Sequence, residues 1–261
     1  MGHIRLGNLP RTRKWQEVVR LIQNGANSDQ VANATISAAE QVLGTAADDT
    51  GLVETIWLLT QLPLAARAQN FPEALRRVGI QVSDSPTLME VVGAVSDAVD
   101  ARVSQKGGRS DLGEMAQMAA AETISKEIGS RVPSLFGTTP DDVQHAFSRL
   151  ATSQQFSGFA RQFFSRLTDR YVEYFLSRAL SHHVGEGHRF ATLAQQSDFT
   201  KALSLHCYEA SRIVEEFSGG WFSKTSWEKG GITRREAQGF AHVAMKKITA
   251  ELKEGARSDV K

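Results

Sequence analysis

Along this 261-residue chain, apolar residues return every three or four positions, and sustained two-residue alternation is nearly absent. That period keeps successive apolar side chains on one face of an α-helix, whereas a half-buried strand needs alternation. The chain is therefore expected to be all-α, a multi-helix bundle of roughly nine to eleven helices with no extended sheet. No internal repeat or low-complexity block interrupts the pattern.

Helix starts and stops can be read from local chemistry. Pro63, Pro72, Pro86 and Pro140 stand where helices would begin, since a first-turn proline has no amide donor to waste. Ser85 and Thr139 precede two of them as N-caps. Asp111 with Glu114, and Thr233 with Glu236, have the spacing at which cap and carboxylate satisfy each other's orphan amides. The stripe Ala237, Phe240, Ala244, Ile248, Leu252 predicts a helix that Gly255 ends, and Ala32, Ile36, Ala39, Leu43 before Gly44 predicts another. Further helices are expected at 12–24, 49–62, 63–70, 72–78, 86–105, 112–129, 140–151, 153–183 and 198–217, with Val78–Val82 as a connection. Glycines at 107–108 and at 185 and 187 mark hinges. The division expected is an N-terminal helical lobe, 1–106, and a C-terminal helical lobe, 107–261, with one continuous domain as the alternative.

A single cysteine, Cys207, excludes a disulfide-held fold and a Cys-rich metal site. The N-terminal residues lack the apolar run of a signal peptide, so the chain is read as cytoplasmic. The most apolar stretch, Leu52–Ala66, contains Glu54 and Pro63 and falls short of the roughly 20 residues that span a bilayer, so it is expected to be a core helix. With no Lys or Arg inside it, it also lacks the basic face of a membrane-surface helix, and no membrane partner is expected.

The net charge of +1 hides an asymmetry. Residues 1–20 hold five basic residues and one acidic, residues 21–106 five and ten, and residues 221–261 nine and five. Two basic ends around an acidic region favour complementary contact with another molecule or lobe. In the first of them, Arg11, Arg13, Lys14 and Trp15 carry positive charge into a helix start, where the dipole disfavours it, so an external anionic surface suits the placement. Near the other end, Ser218–Gly231 reads as a glycine-bracketed loop holding Trp221, Phe222 and Trp227 interleaved with Lys224 and Lys229. Such a loop can anchor a protein partner or stack bases while lysines meet phosphates, or else fold its rings back over the core.

The segment Arg178-Ala-Leu-Ser-His-His183 closes a long aromatic-rich helix. Arg178 and His182 share a face at four-residue spacing, and a guanidinium can hold phosphate while an imidazole moves protons. With His183 completing the order of Arg, short spacer, His, this motif alone resembles the HEPN ribonucleases, although Ala179 stands where that family often has a polar residue. The resemblance implies an all-α bundle, paired Arg/His motifs from two protomers acting on RNA, and a toxin or antiviral system. Arg235 and His242 repeat the spacing. Without catalysis, His182 and His183 finish a helix at the negative end of its dipole.

No recognised metal spacing includes His182, His183, Glu186 and His188, and no phosphate loop, His-Asp dipeptide, serine elbow or paired Glu-x-x-His motif occurs. His206 and Cys207 lie on an apolar stripe and are expected in the core. The strip Phe156, Phe159, Phe163, Leu167, Tyr171, Tyr174 is expected to be core, bordered in solvent by Arg161, Arg166 and Asp169, with a homo-oligomer contact as the alternative. The reading that follows is a non-catalytic accessory or adaptor protein with no cofactor and no metal, binding a protein partner or a nucleic acid through its basic ends and Trp-containing loop. A metal-independent HEPN-like ribonuclease using Arg178, His182 and His183 is the enzymatic alternative, and non-cleaving nucleic-acid binding the third.

Overall fold

Side chains that satisfy orphan amides set where the helices begin. Thr139 accepts from the Asp142 amide while Asp142 accepts from the Thr139 amide, with Pro140 in the first turn. Thr233 and Glu236 form the same reciprocal cap, and Asn70 caps the helix in which Pro72 lies. Three starts differ from expectation. Ser110, not Asp111, is a cap, which leaves Asp111 in the first turn to accept from the Tyr174 hydroxyl at 2.8 Å. Thr87, not Ser85, accepts from the Glu90 amide, with Pro86 just before it. Pro63 starts nothing: it lies in the last turn of a helix whose side chains are nearly all buried, and packing outweighs the cost of interior proline, about 3 kcal/mol.

The computed structural model describes residues 13–44, 48–106, 108–132 and 139–258. Among them are eleven helices: α1 (Arg13–Gln23), α2 (Ser28–Gly44), α3 (Thr50–Ala65), α4 (Phe71–Arg77), α5 (Leu88–Lys106), α6 (Asp111–Gly129), α7 (Pro140–Arg149), α8 (Ser153–Ser181), α9 (Leu193–Ala210), α10 (Arg212–Glu228) and α11 (Arg234–Ser258). No strand forms among the described residues, and the Val184/Phe190 bridge is isolated. No helix there is long and apolar enough to cross a membrane.

The 29-residue α8 is the axis of the core, with α6, α9 and α10 packed around it. Its Phe156, Phe159, Phe163, Leu167 and Tyr171 are buried as the aromatic strip requires, while Tyr174 is half-buried. Arg161 and Arg166 do not border that strip in solvent. Each is mostly buried, Arg161 pairing with Glu215 of α10 at 2.9 Å and Arg166 with Glu122 of α6 at 3.4 Å, so they join helices. Asp169 accepts from Ser204 of α9, and burial pushes its carboxyl above the usual range. From the first 106 residues, α3 packs on α5, α6 and α11, and the buried apolar cluster runs from Trp15 to Leu252.

Two close approaches determine how these helices cross. Where α3 meets α6, a Cβ on Gly51 would stand 2.8 Å from the Gly113 Cα. At that crossing Asp49 accepts from the Leu52 amide and from the Ser110 hydroxyl, while Ser110 accepts from the Gly113 amide. Where α10 meets the start of α8, a Cβ on Gly219 would stand 2.2 Å from the Ser153 carbonyl oxygen.

The region expected as one helix, 198–217, and then a loop is built differently. Thr192 caps α9 from further upstream, a single residue, Ser211, separates it from α10, and α10 continues through Gly219 and Gly220 to Glu228. α11 likewise passes Gly255.

Candidate functional site

Because the expected tryptophan loop is helical, its rings point in different directions. Phe222 is fully buried and stacks on Phe156 of α8, centroids 4.0 Å apart. Trp221 is half-buried and stacks on Phe240 of α11 at 4.1 Å. Trp227 lies about one and two-thirds turns beyond Trp221 and is 89% exposed. Lys224, on the same helix, is exposed and makes no ion pair among the described residues. Lys229 is not a free cation: its Nζ is 2.7 Å from Glu236, the N-terminal cap partner of α11. Lys229 first, then the Thr233 amide, holds the Glu236 carboxyl below the usual range.

Around Trp227 lies an open groove of about 470 Å³, whose walls include Leu64, Arg67, Lys224, Trp227 and Glu228. Arg67 lies beyond the end of α3 and donates to the Ala151 carbonyl at 2.7 Å, which fixes it between α3 and the α7–α8 turn. Neither Leu64 nor Arg67 carries a local signal of this role; they reach the groove from 160 residues away in sequence, through tertiary packing. The groove thus combines an aromatic ring and two cations over apolar wall, with one carboxylate at its edge.

At the other end of the chain, Arg13 and Lys14 are exposed on α1, Lys14 donating to the Ser37 carbonyl of α2 at 3.1 Å. Trp15 is buried, its ring 6.3 Å from Phe175, so it holds α1 to the body. Arg11 lies outside the described residues. α1 packs on α2 and α10 on α8 and α11, so the two expected binding segments occupy different helices with different neighbours.

His182 is the C-cap of α8 and is exposed; the Arg178 side chain lies outside the described residues. His183 is half-buried, its carbonyl accepting from the Phe190 amide at 3.0 Å and its ring 6.5 Å from that of His188. Burial, then His188, His182 and Arg189, hold the His183 imidazole below its ordinary range, favouring the neutral ring. The connection that follows is not a free hinge. Arg189 donates to the Ile22 and Ala26 carbonyls and lies over the Phe199 ring, tying this segment to the α1–α2 turn. Among the described residues no three His, Cys, Asp or Glu side chains are placed to hold a metal ion. Cys207 is fully buried, and burial pushes its thiol well up, so it is a core residue. His206 is mostly buried and faces Asp29 of α2 at 3.4 Å.

Sequence reading missed one strongly built polar cluster. Glu54, buried in α3, accepts two hydrogen bonds from Arg234 at 2.6 and 2.7 Å, and Arg102 of α5 stands 3.6 Å away. The Arg234 guanidinium lies 3.5 Å above the Trp57 ring, and Trp57 and Gln61 both donate to the Ile232 carbonyl. Its charges are mutually satisfied, so it clamps the α10–α11 connection to α3. Comparison with protein-family models, curated proteins and solved structures finds no match for this chain.

Proposed function

We propose that this chain is a non-catalytic helical adaptor that binds another protein through the Trp227 surface. The observation that carries the reading is the contrast among the four tryptophans. Trp15 and Trp57 are buried and Trp221 is stacked, while Trp227 alone stands in solvent beside a groove. Burying a tryptophan of roughly 200 Å² against a partner is worth about 5 kcal/mol at 25 cal/mol per Å², enough to dominate an interface. Lys224 and Arg67 on either side ask for a carboxylate on the partner, so the groove suits a segment that pairs an apolar anchor with an acidic residue.

The test is purification of the tagged full chain from its native cells, with nuclease treatment, in wild-type and Trp227→Ala forms. The expected outcome is a protein that copurifies after nuclease treatment with the wild type and is lost by the variant, whose circular dichroism and melting are unchanged. Retention of the same protein by Trp227→Ala, or its release by nuclease, would remove this surface from the explanation.

A further inference from the structure

α11 carries a second exposed surface, apart from the residues that line the Trp227 groove. From Arg235 to Ala250 the exposed positions are Arg235, Gly239, His242, Val243, Lys246, Lys247 and Ala250, and no acidic residue is among them. At 100° per residue, Arg235, His242 and Lys246 fall within an arc of about 40°, a single file along the helix. The file is about 16 Å long at 1.5 Å per residue. Arg235, His242 and Lys246 make no hydrogen bond or ion pair among the described residues. Glu236 of the same helix is taken up by Lys229, and at the file's edge Gln238 donates to Asp48 at 3.2 Å.

We propose that this face of α11 binds the phosphate backbone of a nucleic-acid duplex, without reading its sequence. Three properties of the face select that occupant. Between Arg235 and Lys246 stand Gly239 and Val243, and space beside Gly239 is open, so a backbone can approach closely. The largest apolar group is Val243, 41% exposed, which offers neither the Trp, Phe or Leu that seats a helix in a lipid interface nor the aromatic anchor of a protein interface. No Trp, Tyr or Phe lies on the face, and its one ring is the small imidazole of His242, so unpaired bases have no broad surface to stack on. Charge is then the only means of recognition, and a regular, dense line of phosphates is what it matches. A file of about 16 Å is as long as about five base-pair steps of duplex axis, at 3.4 Å per step.

The experiment is fluorescence anisotropy of the full chain with a labelled DNA duplex of about 20 base pairs and arbitrary sequence, from about 50 to about 200 mM salt. Wild type is expected to bind with an affinity that falls steeply as salt rises. Arg235→Glu with Lys246→Glu is expected to weaken binding at least about tenfold at the low-salt end and to flatten the salt slope by about 2. Arg235→Gln with Lys246→Gln provides a gentler variant should charge reversal perturb folding, which circular dichroism and melting will report. Trp227→Ala is expected to bind duplex as wild type does, which separates this face from the adaptor surface. Wild-type binding absent at low salt, or equal in both double variants, overturns the proposal. So does tighter binding to a single strand of the same length, or to phosphatidylserine vesicles.

Discussion

Two adjacent glycines illustrate what a single residue decides. Gly219 and Gly220 both read as loop markers, yet both lie inside α10, and only Gly219 touches a neighbour through its missing Cβ. Gly219→Ala must push against the Ser153 backbone and is expected to cost about 1–3 kcal/mol, the range for overpacking. Gly220→Ala meets open space and is expected to stabilise by about 0.5–1 kcal/mol, because alanine is the better helix former. Urea unfolding of the two variants checks both signs; a stabilising Gly219→Ala would show that α10 does not approach α8 as described. Residue identity could not reveal the difference, because a glycine that frees a turn and a glycine that lets two helices touch look the same in sequence. The tryptophans pose the same difficulty: Trp221, stacked on Phe240, and Trp227, in solvent, sit six residues apart with similar neighbours.

At the scale of elements, periodicity and capping carried the reading far. Ten residues before α5, the Val78–Val82 segment is a connection as its inner glycine implies, and Thr139 and Thr233 cap as their spacing requires. The failures are at Pro63, Ser211 and Ser218–Gly231, where packing overrides a local breaker or supplies one that local chemistry does not announce. Ion pairs between helices were equally hidden. Glu122 of α6 meets Lys126 on its own helix and Arg166 and Arg170 from α8, and its carboxyl is held down to about 2, by Lys126 first and then Arg170, against an opposing push from burial. A lowered carboxyl stabilises the fold fully above its ordinary value near 4.5 and loses that contribution as pH falls toward 2. Glu122→Gln is therefore expected to lower the urea midpoint at pH 7, and the gap to wild type should narrow at pH 3. A gap independent of pH would mean that packing of the side chain, and not its charge, joins α6 to α8.

For the whole molecule, the all-α architecture was legible because every segment repeats the same period, and repetition is robust to local error. The groove was half legible: Trp227 and Lys224 carry composition signals, but Leu64 and Arg67 join them only once α3 lies beside α10. The same limit applies to chemistry at the end of α8. There His182 is exposed at a helix C-terminus, and His183 is turned into a short bridge-closed segment that Arg189 ties down. An active ribonuclease needs imidazole and guanidinium to converge on one phosphate. Purified protein is accordingly expected to leave RNA intact with or without divalent metal, as assayed on labelled single-stranded and duplex substrates. Cleavage that Arg178→Ala and His183→Ala each abolish, with folding intact, would make the chain an enzyme.

The crossing of α3 and α6 has an electrostatic side. Each helix brings a positive dipole end of about half a charge to its first turn, and here two such ends meet with their backbones in contact. Repulsion between like poles should splay them, yet Asp49 serves both, directly through the Leu52 amide and by way of the Ser110 hydroxyl. One carboxylate thus works as a shared counter-ion for two macrodipoles. Sequence drift at position 49 is felt in two helices at once, so this corner should vary less between related chains than its place at a surface turn would suggest.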